Sequence, residues 1–345
     1  MELVVDNIIE EVTLQKNFQI HKKMKLPTPT EAYDTYWRFT AERQNIFFRK
    51  IEGESFPWTD DEVLIKHKFT NAYRASDRVS QFLIKEVIYK GDQSPEEVFF
   101  RIILFKTFNK IETWKLLQKQ LKEIRYSEFS FSKYSKILDQ AIKKEKTIYS
   151  GAYIMTSGKS SFGYPKKHKN HLMLLDLMMK NQTYKLVRDA KSIQEVFYLL
   201  KEFPTIGDFL AYQYCIDLNY SNLIDFSEMD FVFPGPGARD GIRKCFSDMG
   251  DYNESEIIRL MAEKQNEEFK RLNIPFQNLW GRDLQLIDCQ NLFCEVDKYS
   301  RVIHPNLKGI SGRTRIKQIY KPTKSKIEYW YPPKWNINKI VKNYE

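Results

Sequence analysis

A proline that can stop one helix, followed four residues later by an aspartate that can start another, constrains this chain more than any other feature. Residues 192–203 space Ile193, Val196, Phe197, Leu199 and Leu200 as a helix does. Pro204 lacks an N–H and disfavours the α conformation in the residue before it, so it should end that helix. Gly207 can supply the φ > 0 geometry of a tight reversal, and Asp208 can cap the apolar run from Phe209 to Tyr220. A hairpin of residues 203–208 would turn backbone N–H groups outward, where they can bind a phosphate or a bridging cation. Such a contact grips a nucleic-acid backbone without reading bases, with Thr205, Gly207 and Asp208 as its ligands. The same punctuation also fits a plain turn between two packed helices.

The order helix, Pro-x-Ile-Gly hairpin, helix, carboxylate resembles the helix-hairpin-helix DNA glycosylases. Pro204 and Asp230 are twenty-six positions apart, and the Phe226 to Asp230 spacing resembles the alkylbase branch. Thr205 departs from that pattern, which carries glycine there. The resemblance implies an all-α, glycosylase-like helical bundle in two lobes. Asp230 would then stabilise the positive charge that develops on the sugar as an N-glycosidic bond breaks. Its alternative role is a helix cap. Asp225 is the nearest competitor and Glu228 the third. Asp297, in a second imitation of the motif, lies 93 residues beyond Pro204 and ranks behind Asp230.

With 345 residues the chain can bury a large core, organised as an N-terminal extension (1–30), a helical body (31–305) and a basic aromatic tail (306–345). Fourteen per cent aromatic residues, with only 13 Gly and 13 Pro, argue against a disordered or turn-rich β protein. The tail holds ten Lys or Arg against two Glu, +8 of the overall +10. Its Tyr320, Tyr329, Trp330, Tyr331, Trp335 and Tyr344 can stack on unpaired bases while the cations neutralise phosphates. Alternatively the rings pack back onto the body. Arg313 and Arg315 are the tail's candidate phosphate ligands.

Cys215, Cys245, Cys289 and Cys294 are scattered and have no histidine at ligand spacing, so neither metal nor cofactor is expected. His168 and His171 lie in a Lys-rich stretch and are expected to face solvent. The N-terminus lacks a secretory pattern and no run spans a membrane, so a cytoplasmic monomer is expected.

Along the chain, helices are expected over 31–51, 71–89, 131–144, 171–180 and 254–272. Arg74 and Asp77 can pair at i, i+3 in the second of these. Ser94-Pro95-Glu96-Glu97 has the form of a capping box opening an apolar central helix through Asn109. Asn109 can cap that helix or, as the glycosylase resemblance implies, wedge into the gap left by a flipped base. Residues 148–153, with Tyr153, form a small-residue break that can line a pocket. Phe233-Pro-Gly-Pro-Gly-Ala-Arg239-Asp-Gly241 exposes backbone amides before a helix, with Arg239 or Arg243 able to hold a phosphate. The helix over 284–299 crowds Gln290, Asn291 and Asp297 among apolar residues, either as an internal network or as a base-reading wall.

Three blocks, Phe105-Lys-Thr-Phe-Asn-Lys-Ile-Glu-Thr-Trp114, Gly235-Pro-Gly-Ala-Arg-Asp-Gly241 and Leu286-Ile-Asp-Cys-Gln-Asn-Leu-Phe-Cys-Glu295, are similar to the α-glutamyl/putrescinyl thymine pyrophosphorylases. That group also includes the helical domain of 5-hydroxymethyluracil DNA kinases. The resemblance covers about residues 35–320 and implies a partner of double-stranded DNA with hypermodified bases. The function expected from it is a monofunctional DNA glycosylase that flips and excises a bulky modified pyrimidine, in defence against phage. The alternatives are a transferase that hypermodifies activated 5-hydroxymethyluracil, and a non-catalytic DNA-binding module.

Overall fold

The computed structural model describes residues 24–152, 155–322 and 327–342. Tyr153, Tyr344 and residues 1–23 of the N-terminal extension lie outside them. The described residues are predominantly helical, joined by one short antiparallel ribbon of Thr28–Pro29 against Phe246–Asp248.

The helix Glu31–Ile51 opens on Thr30, whose side chain accepts from the Ala32 N–H, and buries Tyr36, Trp37, Phe39 and Phe47. Its partner is Leu286–Ile303, where Phe293 meets Tyr36 at 4.8 Å between ring centroids. The central helix Pro95–Phe108 is buried on nearly every side. Its N-cap is Ser94, yet the expected capping box does not form: the Glu97 carboxylate instead accepts from the Tyr126 and Ser127 N–H groups at 2.7 and 3.1 Å. Against it pack Leu83–Ile88, Lys167–Lys180, Thr183–Asp189 and Asp208–Asn219.

Residues 71–89 are not one helix. They form a 3-10 turn at Arg74–Ser76, a short α segment at Arg78–Phe82 and a π segment at Leu83–Ile88. The first break is held by Arg74, whose N–H donates to Asp288 (2.7 Å) and whose guanidinium runs to Asp217 (2.9 Å) rather than to Asp77. Asp77 accepts the Asn71 N–H instead.

The tail folds back onto the body. Tyr331 is fully buried against Trp280 and Trp335, its hydroxyl 2.8 Å from Ser76 Oγ, and Trp335 lies edge-on to Tyr220. Arg282 stacks over Trp335 at 3.8 Å. The Lys334 ammonium donates to the carbonyls of Ser221 and Ile224. Of the two expectations for the tail, stacking on unpaired bases fails for Tyr331 and Tyr329, because burial in the core is worth more to such rings than exposure.

Candidate nucleic-acid interface

The helix Ile193–Lys201 stops three residues before Pro204, and Asp208–Asn219 follows the reversal. Left-handed backbone falls on Thr205 (φ +71°), not on Gly207, which is extended at φ −86°, ψ 177° and serves as the N-cap. The reversal thus closes two residues earlier than expected, leaving Asp208 as the first helical residue, paired to Lys201 at 2.5 Å. A β-branched residue at φ > 0 is strained by about 1–3 kcal/mol. The Thr205 Oγ1 is buried with no hydrogen-bond partner among the described residues. A loop lies against this strained corner: a Cβ on Gly158 would come within 3.2 Å of Thr205 Cγ2.

The acids singled out from the sequence do not gather around one opening. Asp230 is exposed on a turn, where its carbonyl accepts from Arg259 at 3.0 Å. Asp225 is exposed and 3.2 Å from Lys334. Glu228 is buried and paired with Arg282 at 3.2 Å. Asn109 caps the central helix at φ +47°, its backbone N–H on Phe105 and its side-chain oxygen accepting from Lys106. Gln290 and Asp297 are sealed inside the body and Asn291 is half-buried. Gln290 accepts from Gln213 at 3.3 Å, while Asp297 pairs with Lys244 at 3.0 Å and with Arg301. An internal network, not a base-reading wall, accounts for Gln290 and Asp297. Arg239 is exposed over the Phe233 ring, and Arg243 is exposed beside Glu254. Arg313 is bound to the buried Asp240 at 2.7 Å, which leaves Arg315 the freer of the tail pair.

Beneath the hairpin lies a buried ion cluster that sequence reasoning missed. Asp217, on the second hairpin helix, holds Arg74 at 2.9 Å and Lys106 at 3.0 Å, all three nearly inaccessible. Arg74 also donates to Gln213 (3.1 Å) and to the Tyr220 hydroxyl (3.1 Å). Burial pushes Lys106 down to about 8, against the pull of Asp217. The available signal was Lys106 in the apolar second half of Pro95–Phe108 and Asp217 in the apolar run of Asp208–Asn219, opposite charges that cannot be buried without a partner. Arg74 therefore ties together two of the three family-like blocks, through Asp217 to Lys106 and through Asp288 to Leu286–Ile303.

His168 and His171 do not face solvent; both are buried. The His171 Nε2–H donates to the Thr156 carbonyl (2.7 Å), so Nδ1 is the acceptor for the Tyr149 hydroxyl (2.9 Å). Burial pushes the imidazole down to about 4. An unfolded histidine protonates near 6.5, so below that pH the unfolded chain binds the proton the folded chain refuses, and stability falls with acid. A loss of about 2 kcal/mol by pH 5 is expected. Urea midpoints measured between pH 7 and 5 check this: His171→Gln should flatten the fall, and an unchanged pH profile would show that another group controls it.

Among the described residues, no grouping of His, Cys, Asp or Glu could hold a metal ion, and no helix is long and apolar enough to cross a membrane. The helical domain of 5-hmdU DNA kinases matches residues 30–309. The chain is also 26% identical over 290 residues to the 5-hmdU DNA kinase of Bacillus phage SP10, covering 79% of this chain and 45% of the relative. It thus spans about half the length of the curated relative it matches. No solved structure matches. These matches overturn the expectation of a glycosylase. Both carry the name of a kinase, a transferase, so base excision, hydrolase chemistry and defence by excision are withdrawn. The role of Asp230 as stabiliser of a sugar cation goes with them. The hairpin pattern misled because a fold element is shared by unrelated chemistries. With the match extending over most of its length, the chain belongs to the family of 5-hmdU DNA kinase helical domains.

Proposed function

We propose that this domain serves DNA base hypermodification: it engages duplex DNA containing 5-hydroxymethyl-2′-deoxyuridine and holds the base for group transfer at the 5-hydroxymethyl oxygen, leaving the glycosidic bond intact. The observation that carries this reading is the family match over residues 30–309, joined by the phage relative named for a DNA kinase. The 345 residues contain no Gly-x-x-x-x-Gly-Lys-Ser/Thr, the loop that cradles nucleotide phosphates. That supports a part on the DNA side of the transfer. In this reading the 193–219 segment works as a helix-hairpin-helix within a two-lobed body of residues 31–305, and Thr205 and Gly207 meet the backbone. The domain acts as a monomer, with Arg239 and Arg243 flanking the bound strand.

Fluorescence anisotropy on matched duplexes with 5-hydroxymethyluracil or thymine tests it. Several-fold tighter binding of the modified duplex is expected, with nucleoside masses after digestion showing intact or substituted base. Equal affinity for both duplexes, or release of free base with abasic sites, would overturn the reading.

A further inference from the structure

Charge is divided along this chain in a way that its total conceals. Residues 106–191 hold nineteen Lys or Arg against seven Asp or Glu, a net +12. With +8 in residues 306–345, everything else carries a net −10. A polyanion is therefore drawn most strongly toward these two segments.

The tail uses much of its chemistry internally. Arg313 is spent on Asp240, Lys334 on backbone carbonyls, and Tyr331 on the core. The 106–191 region is organised differently. Lys133, Lys136, Lys143, Lys144, Lys146 and Lys159 are exposed, and none of them forms an ion pair among the described residues. Of the nearby acids, Glu145 is exposed in the turn itself, while Asp139 is already engaged by Lys166 (2.6 Å), Lys169 (3.6 Å) and His168 (3.3 Å), contacts that tie Phe131–Lys143 to the start of Lys167–Lys180. Within this surface Tyr149 is half-buried with the Lys167 ammonium 4.7 Å from its ring centroid. The Gly158 loop then carries the surface onto the hairpin at Thr205.

We propose that this lysine face, from the 143–149 turn through the 157–169 loop to the 203–208 hairpin, is where the phosphate backbone of duplex DNA binds, and that the tail is chiefly a structural clamp. The proposal rests on DNA being the ligand, as in the function proposed above, but not on which base is recognised. Unpaired exposed lysines bound to phosphates release counterions, and affinity then falls steeply with salt.

Two variants with equal loss of charge test it: K143E/K144E/K146E on the face, and K317E/K321E/K339E on exposed tail positions. The probe is a short unmodified duplex, followed by anisotropy across a salt series. The face variant should lose at least about tenfold in affinity, with the slope of log K against log salt shallower by about 2–3, near 0.9 per phosphate contact. The tail variant should lose less than about threefold. Equal or reversed losses would overturn the proposal, as would a wild-type protein that ignores the duplex or prefers anionic vesicles. Because the probe carries no modified base, failure to discriminate 5-hydroxymethyluracil would sink the proposed function and leave this surface standing.

Discussion

Asp217→Ala is expected to cost about 3–5 kcal/mol of stability, the range for removing one member of a buried ion pair. The carboxylate is inaccessible and divides its two oxygens between Arg74 and Lys106 at 2.9 and 3.0 Å. Without it, two cations would share one dry site, and neither has a route to water. Lys106 could shed its proton, since burial already holds it at about 8, but the Arg74 guanidinium cannot. The loss should also spread, because the Arg74 N–H holds Asp288 at the start of Leu286–Ile303. Urea denaturation at pH 7 measures the effect, and the double variant D217N/K106M separates charge from packing. Removing both charges should cost clearly less than the sum of the single changes. A loss below about 1 kcal/mol for Asp217→Ala would mean that water or rearrangement relieves the site.

The same cluster shows what the sequence made legible. Helix bounds at Glu31–Ile51 and Pro95–Phe108 follow from apolar spacing, a Thr30 cap and a proline at the first helical position, all of them local. The reversal after Lys201 was equally visible from Pro204. What local patterns do not encode is which distant group a polar side chain meets. Arg74 looked like a partner for Asp77 three residues away, yet its partner is 143 positions along the chain. His171 sits among lysines in sequence, but the helix turns it inward while Lys180 stays out. Thr205 took the left-handed position that Gly207 was better suited to, because the turn's register is set by where the flanking helices pack. The candidate site suffered most: a hairpin and a carboxylate at a suggestive distance do not specify a reaction.

Gly241→Ala is expected to lose about 3 kcal/mol or more, although alanine in a helix interior ordinarily gains about 1 kcal/mol over glycine. The reason lies in the crossing of Pro236–Cys245 over Leu286–Ile303, two of the three family-like blocks. A Cβ at Gly241 would fall 2.0 Å from the Phe293 carbonyl oxygen and 2.7 Å from its carbon, so a helix backbone would have to move. At Gly237 the nearest obstacle is the Cys294 Sγ at 3.0 Å, the end of a side chain that can rotate. These glycines read from the sequence as a loop exposing amides to phosphate, whereas the structure shows Gly237 and Gly241 pressed against a neighbouring helix. Separating the helices would also disturb Asp240, which holds the Ser311 N–H at 2.8 Å and Arg313 at 2.7 Å and so fixes the start of the tail. Urea midpoints for Gly241→Ala and Gly237→Ala, with tail docking followed by limited proteolysis near Arg313, decide the matter. Gly241→Ala should be the more damaging and should expose the tail. Equal stability for both variants would show that the crossing yields, and that close backbone approach is not what these glycines provide.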